Sequence, residues 1–235
     1  MVRKSYSSLL PIICIILFGF VTAGIILGRT VTVFSENATI KSKHCVVIDA
    51  GHGGVDGGAT SCSGILESHM NLEIAKRLND MLRILGVETK MIRETDISIF
   101  TSGNTIAEKK ISDLKNRVKI VNGEENGILI SIHMNYFTDS RYSGAQVFYA
   151  PTEHSKELAS KLQSSLNGTL KPTTNRQIKK ADGIYLMQHI QCPAVLVECG
   201  FISNFQENAL LSDPRYQQKL CGILATNICT YLSNA

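Results

Sequence analysis

The sequence predicts a single α/β domain preceded by an N-terminal extension. Apolar runs of four or five residues, typical of buried strands, alternate with longer segments whose apolar residues recur at helical spacing. The chain has 235 residues, which suffices for one domain of about 200 residues and an extension. With 44% hydrophobic and 19% charged residues, that domain should fold around a substantial core.

The N-terminal extension, residues 1–29, is predicted to be a membrane anchor. Residues 8–28 form an apolar stretch of 21 residues without a charged side chain, and about 20 such residues cross a bilayer. Arg3 and Lys4 precede the stretch. Basic residues tend to stay in the cytoplasm, so we expect the domain to lie on the outer side of the membrane.

A cleaved secretion signal is the alternative interpretation of the same stretch. Val21-Thr22-Ala23 resembles a cleavage site, but the apolar run continues beyond it, which favours an uncleaved anchor. The polar residues 30–43 follow as a linker. Residues 44–235 then form the predicted folded domain.

The charge content argues against nucleic-acid binding, and the cysteine spacing argues against a disulfide-rich domain. The net charge is +4, but three of the 24 basic residues, Arg3, Lys4 and Arg29, flank the apolar stretch. The rest of the chain has 21 basic and 20 acidic residues. This near balance is not typical of a nucleic-acid-binding protein, which carries a strongly basic surface. Cys14 lies in the apolar stretch, and the other six cysteines form no Cys-x-x-Cys pair. We expect them to be reduced, although sequence alone does not exclude disulfides.

The first predicted strand, residues 45–48, leads through Asp49 into a loop that contains five glycines. His52 lies in this loop, just past the carboxyl end of the strand, where open α/β sheets build their sites. Glycine permits close backbone approach, so the loop should bring another group near the histidine. A phosphate-binding loop would need another glycine spacing and a lysine, and neither is present. A metal site would need further ligands elsewhere in the chain.

The remaining elements follow in order. Helical spacing of apolar residues predicts helices at 72–85, 111–121, 158–166 and from Asp213-Pro214 onward. Apolar runs predict strands at 87–93, 128–132, 145–149, 184–187 and 194–197. Asn204 followed by Glu207 predicts a capping box. The polar segment 94–110 favours no particular structure.

Four polar residues occupy comparable places in this pattern. His52, His133 and Glu198 each follow a buried strand at its carboxyl end, and Glu67 lies at the start of the first helix. If the strands are parallel neighbours, these side chains converge on one edge of the sheet. Two histidines and a carboxylate with an open fourth position form the ligand set of a catalytic zinc site. A further, unligated carboxylate is the proton shuttle that such a site needs.

Each of these residues also has a purely structural interpretation, which the spacing alone leaves open. An isolated histidine in a glycine loop is usually just polar and exposed. Glu67 could instead stabilise the helix N-terminus, and Glu198 could be a paired carboxylate. His69 lies about 200° around the helix from Glu67, so we do not expect it to face the same ion. Cys199 should point to the opposite face of its strand from Glu198.

Four ordered segments carry a family resemblance. They are residues 48–54 (Ile-Asp-Ala-Gly-His-Gly-Gly), Glu67, residues 131–135 and residues 196–204, with 117–122 and Asn175-Arg176 in addition. In this order they resemble the zinc-dependent N-acetylmuramoyl-L-alanine amidases, from about Val46 to the C-terminus. Ala50 replaces a proline that is common in the family, and Met134 replaces a small residue. Neither departure removes a ligand.

The resemblance implies a site, a fold and a reaction. His52, Glu67 and His133 would bind zinc, and Glu198 would be the catalytic acid/base. The sheet would be twisted, mostly parallel but mixed, and flanked by helices. The substrate would be the amide between N-acetylmuramic acid and L-alanine in peptidoglycan. Asn135 and Arg176 are candidate substrate contacts, with loop hydrogen bonding as the alternative role.

The combination of one domain with an N-terminal membrane segment most resembles the germination-specific amidases of spore formers. In these proteins, removal of the stem peptide begins muramic-δ-lactam formation in the spore cortex. Few residues separate Tyr149 from the helix that contains Leu158, which leaves little room for the inhibitory helix of some division amidases. Control by an accessory protein, by metal loading or by the time of synthesis is therefore expected.

Two other functions stay open on the sequence. One is a non-catalytic wall-binding module with a vestigial zinc site, and the other is a zinc peptidase or deacetylase that acts on the same polymer. The chain has no tryptophan, the strongest sugar-stacking side chain. We therefore expect targeting to come from the anchor or from a partner protein.

Overall fold

The fold is described by a computed structural model that covers residues 44–234. The predicted anchor at 8–28 and the linker at 30–43 lie outside the described residues. Within 44–234, every helix is too short or too polar to cross a membrane.

Residues 44–234 form six strands and six helices, which alternate along most of the chain. In order they are β1 (Cys45–Ala50), α1 (Glu67–Ile84), β2 (Glu88–Met91), α2 (Ile106–Asn122), β3 (Gly127–Asn135), β4 (Gln146–Tyr149), α3 (Ser155–Leu170), β5 (Lys179–Lys180), α4 (Tyr185–His189), β6 (Ala194–Phe201), α5 (Phe205–Leu211) and α6 (Pro214–Leu232). The strands form one sheet in the order β2-β1-β3-β6-β4-β5. Strands β2, β1, β3 and β6 are parallel, and β4 runs antiparallel to β6. The predicted α/β fold with a mixed, mostly parallel sheet is confirmed.

The sheet is buried on both faces. Successive side chains of a strand point to opposite faces of the sheet, so alternate residues of the central strands belong to two separate core clusters. Ile48, Ile130 and Val197 pack with residues of α1, α3 and α6 on one face, and Val47, Leu129 and Leu196 pack with residues of α2 and α4 on the other. Parallel strands covered on both faces are apolar throughout, which is why they were recognisable as short apolar runs.

The predicted strand at 184–187 is wrong. The chain forms the short helix α4 there, and Leu186 and Met187 are buried against the face of the sheet that α2 covers. Four apolar residues do not distinguish a buried strand from one turn of buried helix. The segment 94–110 enters α2 through a capping box between Thr105 and Glu108.

The predicted capping box at Asn204 is only half present. Asn204 does cap α5, because its side chain accepts hydrogen bonds from the backbone N–H groups of Gln206 and Glu207, both at 3.0 Å. The Glu207 carboxylate, however, accepts from the N–H groups of Gly144 and Phe201, both at 2.8 Å. Glu207 therefore fastens the loop after β3 to the end of β6, and the prediction for it was wrong.

A buried ion pair stabilises the carboxyl end of β1. Asp49 and Arg117 are in direct contact, with 1% and 3% of their side chains exposed. The Ser131 hydroxyl donates to Asp49 at 2.6 Å, and Arg117 also donates to Asp113 at 2.6 Å. Burial alone would raise the pKa of Asp49, but the positive charge of Arg117, the neighbouring His133 and the hydrogen bonds from Ser131 and Arg117 together outweigh it and lower the pKa.

We expect Arg117→Met to lower the free energy of unfolding by about 3–5 kcal/mol, because it leaves the Asp49 carboxylate buried without its cation. Urea denaturation of the variant and the wild type measures the difference. The native pKa of Asp49 lies below its unfolded value of 3.8, so the pair stabilises the fold above that pH. The difference should shrink as the pH falls through the native pKa.

Arg141→Met is the control for this experiment. It removes an exposed ion pair with Asp139, since 88% of the Arg141 side chain is exposed, and such pairs contribute little. Equal losses of stability in the two variants would contradict the role assigned to Arg117.

Candidate metal centre

Three side chains converge at the carboxyl ends of β1 and β3. His52 lies in the loop after β1, Glu67 is the first residue of α1, and His133 lies in β3. The Oε1 atom of Glu67 is 3.3 Å from Nε2 of His52 and 3.1 Å from Nδ1 of His133. Each of the three residues offers one potential ligand atom, and these atoms lie within 4.8 Å of one another. The structure thus brings together the three residues that the sequence singled out as ligands.

Two glycines let these side chains approach the loop. A Cβ atom at Gly51 would lie 2.2 Å from the ring of His133. One at Gly58, whose φ is +69°, would lie 2.6 Å from Oε2 of Glu67. A side chain at either position would displace His133 or Glu67, so the loop is shaped to admit these two residues next to His52.

Two buried arginines hold the backbone of this loop. His52 has a φ of +61°, which is uncommon for a residue other than glycine. Arg93 donates to the carbonyls of Ala50 and Gly51 at 2.8 and 3.0 Å. Arg117 donates to the carbonyls of Ala50 and His52 at 3.0 and 2.7 Å. These bonds fix the loop in a conformation that the local sequence alone disfavours.

Asp56 orients the ring of His52. The Nδ1–H group of His52 donates to Oδ2 of Asp56 at 2.9 Å, and Lys110 lies 3.0 Å from the same oxygen. This bond directs Nε2 toward Glu67, as carboxylates behind metal-binding histidines do. Burial alone would lower the pKa of His52, but the hydrogen bonds to Asp56 and Glu67 outweigh it and raise the pKa to about 9. The sequence analysis missed Asp56, whose only signal is its position four residues after His52.

We expect Asp56→Ala to weaken zinc binding by about 10–100-fold, because His52 loses the group that orients its ring. Competition with a chromophoric chelator measures the affinity. Lys110→Met is the matched control, since it removes the cation but keeps the bond between carboxylate and imidazole. Wild-type affinity in the Asp56 variant would show that the ring is oriented by other means.

Glu67 is arranged to stay negatively charged. Its Oε2 atom accepts from the N–H of Ala59 at 3.0 Å, and its Oε1 atom accepts from the N–H of Met134 at 3.2 Å. Burial alone would raise the pKa of Glu67, but the hydrogen bonds from His133 and His52 outweigh it and hold the pKa well below its ordinary value. An ionised carboxylate is the form that binds metal.

Glu198 lies beside this group on the same face of the sheet. It pairs with His133 in the register between β3 and β6. Its Oε2 atom is buried and has no hydrogen-bond partner among the described residues. Burial raises the pKa of Glu198 to about 7, where a carboxyl group can both accept and donate a proton. Cys199 belongs to the core cluster on the opposite face, as predicted.

The donor set fits a zinc ion. A tetrahedral ion with bonds of about 2.1 Å separates its ligand atoms by roughly 3.4 Å, close to the 3.1 and 3.3 Å found around Glu67. Two imidazoles and one carboxylate leave a fourth position open, as in catalytic zinc sites. His69 instead pairs with Asp96 at 3.0 Å, and the six cysteines of residues 44–234 are free thiols.

The two candidate substrate contacts occupy different surroundings. Asn135 lies two residues after His133 on the same face and pairs with Phe201 of β6. Arg176 donates from Nε to the carbonyl of Ser143 at 2.8 Å, and its guanidinium lies 4.8 Å from the centre of the Phe201 ring. Both therefore border the carboxyl edge of the sheet, next to Phe201.

Comparison with known proteins places this fold and site in a family context. A family model described as N-acetylmuramoyl-L-alanine amidase matches residues 46–230. The germination-specific N-acetylmuramoyl-L-alanine amidase of Bacillus subtilis is 37% identical over 208 residues, which cover 85% of this chain and 87% of the relative.

Solved structures show the same similarity. The CwlD amidase from Clostridioides difficile, solved in complex with the GerS lipoprotein, matches with a TM-score of 0.77 and 37% identity over 81% of this chain and 99% of that one. An N-acetylmuramoyl-L-alanine amidase from Clostridium difficile 630 matches with a TM-score of 0.71 and 28% identity over 82% of this chain and 98% of that one.

Proposed function

The chain belongs to the N-acetylmuramoyl-L-alanine amidase family and is a peptidoglycan amidase, and on that premise we propose that it acts in spore cortex maturation as a zinc enzyme. His52, Glu67 and His133 would hold the zinc, and Glu198 would be the catalytic acid/base. The observation that supports this assignment most is the buried, unpartnered Oε2 atom of Glu198, which lies beside two imidazoles and an ionised carboxylate.

The separate roles of zinc and Glu198 follow from the chemistry of amide hydrolysis. When bound, zinc polarises the scissile carbonyl as a Lewis acid and makes water a stronger nucleophile at neutral pH. Glu198 accepts a proton from the attacking water. It then donates a proton to the nitrogen of L-alanine, because an amine must be protonated before it can leave. One carboxyl group with a pKa near 7 can serve both steps.

The role in sporulation is supported by the germination-specific relative of Bacillus subtilis. Removal of the stem peptide would begin muramic-δ-lactam formation in the cortex. The domain would act on the outer side of the membrane, where peptidoglycan lies, and residues 8–28 would anchor it there.

An accessory protein is part of this proposal. The CwlD amidase of Clostridioides difficile was solved in complex with the GerS lipoprotein, which supports a partner for this chain as well. The partner would control zinc loading or access to the site. Full activity of the zinc-loaded chain by itself would remove the need for one.

Digestion of purified peptidoglycan tests the reaction. The zinc-loaded chain should release free stem peptides with an N-terminal L-alanine, a chelator should stop the release, and added zinc should restore it. Mass analysis that finds the link between muramic acid and alanine intact would favour a peptidase or deacetylase. Digests without any product would favour a wall-binding module.

Muropeptide analysis of spores tests the biological role. Deletion of the gene in the organism that carries it should remove muramic-δ-lactam from the cortex. The Glu198→Gln variant should fail to restore it, while the wild-type gene does. Lactam at the normal level in the deletion strain would overturn the proposed role in the cortex.

A further inference from the structure

An aromatic cluster borders the site on the side of β6. Phe201 of β6 pairs with Asn135 of β3, beyond the pair formed by Glu198 and His133. Register partners in a parallel sheet point to the same face, so the Phe201 ring lies on the face that carries His133 and Glu198. The register shifts between these two pairs, a bulge of the kind often found next to active sites.

The cluster, which we call the aromatic wall, consists of Phe137, Tyr142, Phe201 and Arg176. The ring centres of Phe137 and Tyr142 are 4.6 Å apart, and those of Tyr142 and Phe201 are 6.1 Å apart. The guanidinium of Arg176 lies 5.4 Å from the centre of the Tyr142 ring and 4.8 Å from that of Phe201. Phe201 is buried, whereas Phe137 and Tyr142 are 46% and 43% exposed. Tyr142 thus rests on a buried ring and a cation, and Phe137 packs against Tyr142.

The loop that carries the exposed rings is held at four places. Its N–H at Phe137 donates to the Ser203 hydroxyl at 3.1 Å, and its carbonyl at Ser140 accepts from the Asn204 side chain at 2.7 Å. The carbonyl of Ser143 accepts from Arg176, and the N–H of Gly144 donates to Glu207. The rings are therefore presented to solvent by a fixed loop.

The substrate offers one group that fits such a surface. A pyranose ring of the glycan strand has a flat face of C–H groups, which carry partial positive charge and match the negative face of an aromatic ring. Its hydroxyl and acetamido oxygens can accept hydrogen bonds from a guanidinium. The stem peptide, by contrast, begins with a methyl side chain and continues with carboxylates and amines, which cover an aromatic ring poorly.

We propose that the aromatic wall binds the sugar next to the muramic acid whose amide is cleaved. This inference rests on the proposed function and adds the surface that selects a glycan strand over an isolated muramoyl peptide. Phe201 follows Glu198 by three residues in β6, so a glycan strand whose amide lies between Glu198 and the three candidate ligands would reach the wall if it continued toward the end of β6. The wall is the apolar surface that it meets there.

The test compares substrates with the full chain and the variant Phe137→Leu/Tyr142→Leu, which keeps apolar side chains but removes both exposed aromatic faces. On peptidoglycan strands the variant should show a KM raised about tenfold with little change in kcat, the loss expected for two aromatic contacts. On a single muramoyl peptide without neighbouring sugars, wild type and variant should be equal. Glycan strands freed of peptide should bind the wild type about tenfold more tightly than the variant.

Tyr185→Leu is the matched control, because its ring stacks on His189 in α4, which precedes the opposite end of β6. It should leave both substrates and glycan binding unchanged. Zinc content and thermal unfolding confirm that each variant is folded, and if the double variant is unstable, Phe137→Leu alone should give a smaller shift in the same direction. Equal KM on strands in wild type and variant, or unchanged glycan binding, would overturn the proposal. If the wild-type protein binds glycan strands but cleaves no muramoyl amide, the proposed function is wrong.

Discussion

Glu198→Gln should lower kcat on peptidoglycan by about 10²–10⁴-fold, the usual contribution of a general acid or base. Glutamine keeps the size of the side chain but neither takes a proton from water nor gives one to the leaving amine. The zinc content should stay at the wild-type level, because Glu198 lies beside the His/Glu/His group and not within it. Steady-state release of stem peptide and metal analysis of the same preparation measure both quantities.

Glu153→Gln is the control for this variant, since 89% of the Glu153 side chain is exposed and it should behave as wild type. The two readouts separate the possible roles of Glu198. If the Glu198 variant loses its zinc, then Glu198 is a ligand, and the role assigned to it is wrong. If it keeps both zinc and activity, another group shuttles the proton.

Glu67→Gln is expected to have the second large effect, a loss of zinc and of activity together. Glu67 is the anionic member of the group, and its Oε1 atom lies between the two imidazoles. A neutral amide leaves the ion without its charged ligand. Loss of a residue that only hydrogen-bonds to a metal ligand weakens metal binding by up to about 100-fold, so we expect loss of a ligand to lower the affinity for zinc by at least that factor. Chelator competition and activity at rising zinc concentration measure the change.

The matched control for Glu67 lies on the same helix. Glu73→Gln changes an exposed carboxylate of α1 and should leave zinc binding unchanged. The pattern expected for a ligand is lost affinity in one helix variant and wild-type affinity in the other. Unaltered zinc binding after Glu67→Gln would remove Glu67 from the ligand set.

The convergence of the site could be predicted from sequence because it follows from strand direction alone. Buried parallel strands are short apolar runs, their carboxyl ends meet at one edge, and a polar residue at each end is brought to a common place. His52, His133 and Glu198 met that description, and Glu67 followed as the first residue of the next helix. Their roles as zinc ligands and as proton shuttle came from the family resemblance and remain proposals.

The supports of the site could not be predicted, because they depend on contacts between segments far apart in sequence. Arg93 and Arg117 hold carbonyls of a loop that lies more than 40 residues earlier in the chain. Glu207 matched a local capping pattern, yet it bonds to Gly144 and Phe201. Local periodicity carries no information about either kind of contact.

The short helix α4 was missed for a different reason. Its apolar residues at 184–187 satisfy strand and helix patterns equally, and only burial against the sheet decides between them. The aromatic wall likewise has no local signature, because Phe137 and Tyr142 lie in the loop after β3 and meet Phe201 of β6 only in the folded chain.

Anomalous scattering from crystals of the zinc-loaded chain, measured at the zinc absorption edge, tests the central claim most directly. The account predicts one strong peak, bonded to His52, Glu67 and His133, with the Glu198 carboxylate next to the ion but not among its protein ligands. A peak bonded to cysteine sulfur, or an ion held by Glu198 in place of any of the three, would contradict it.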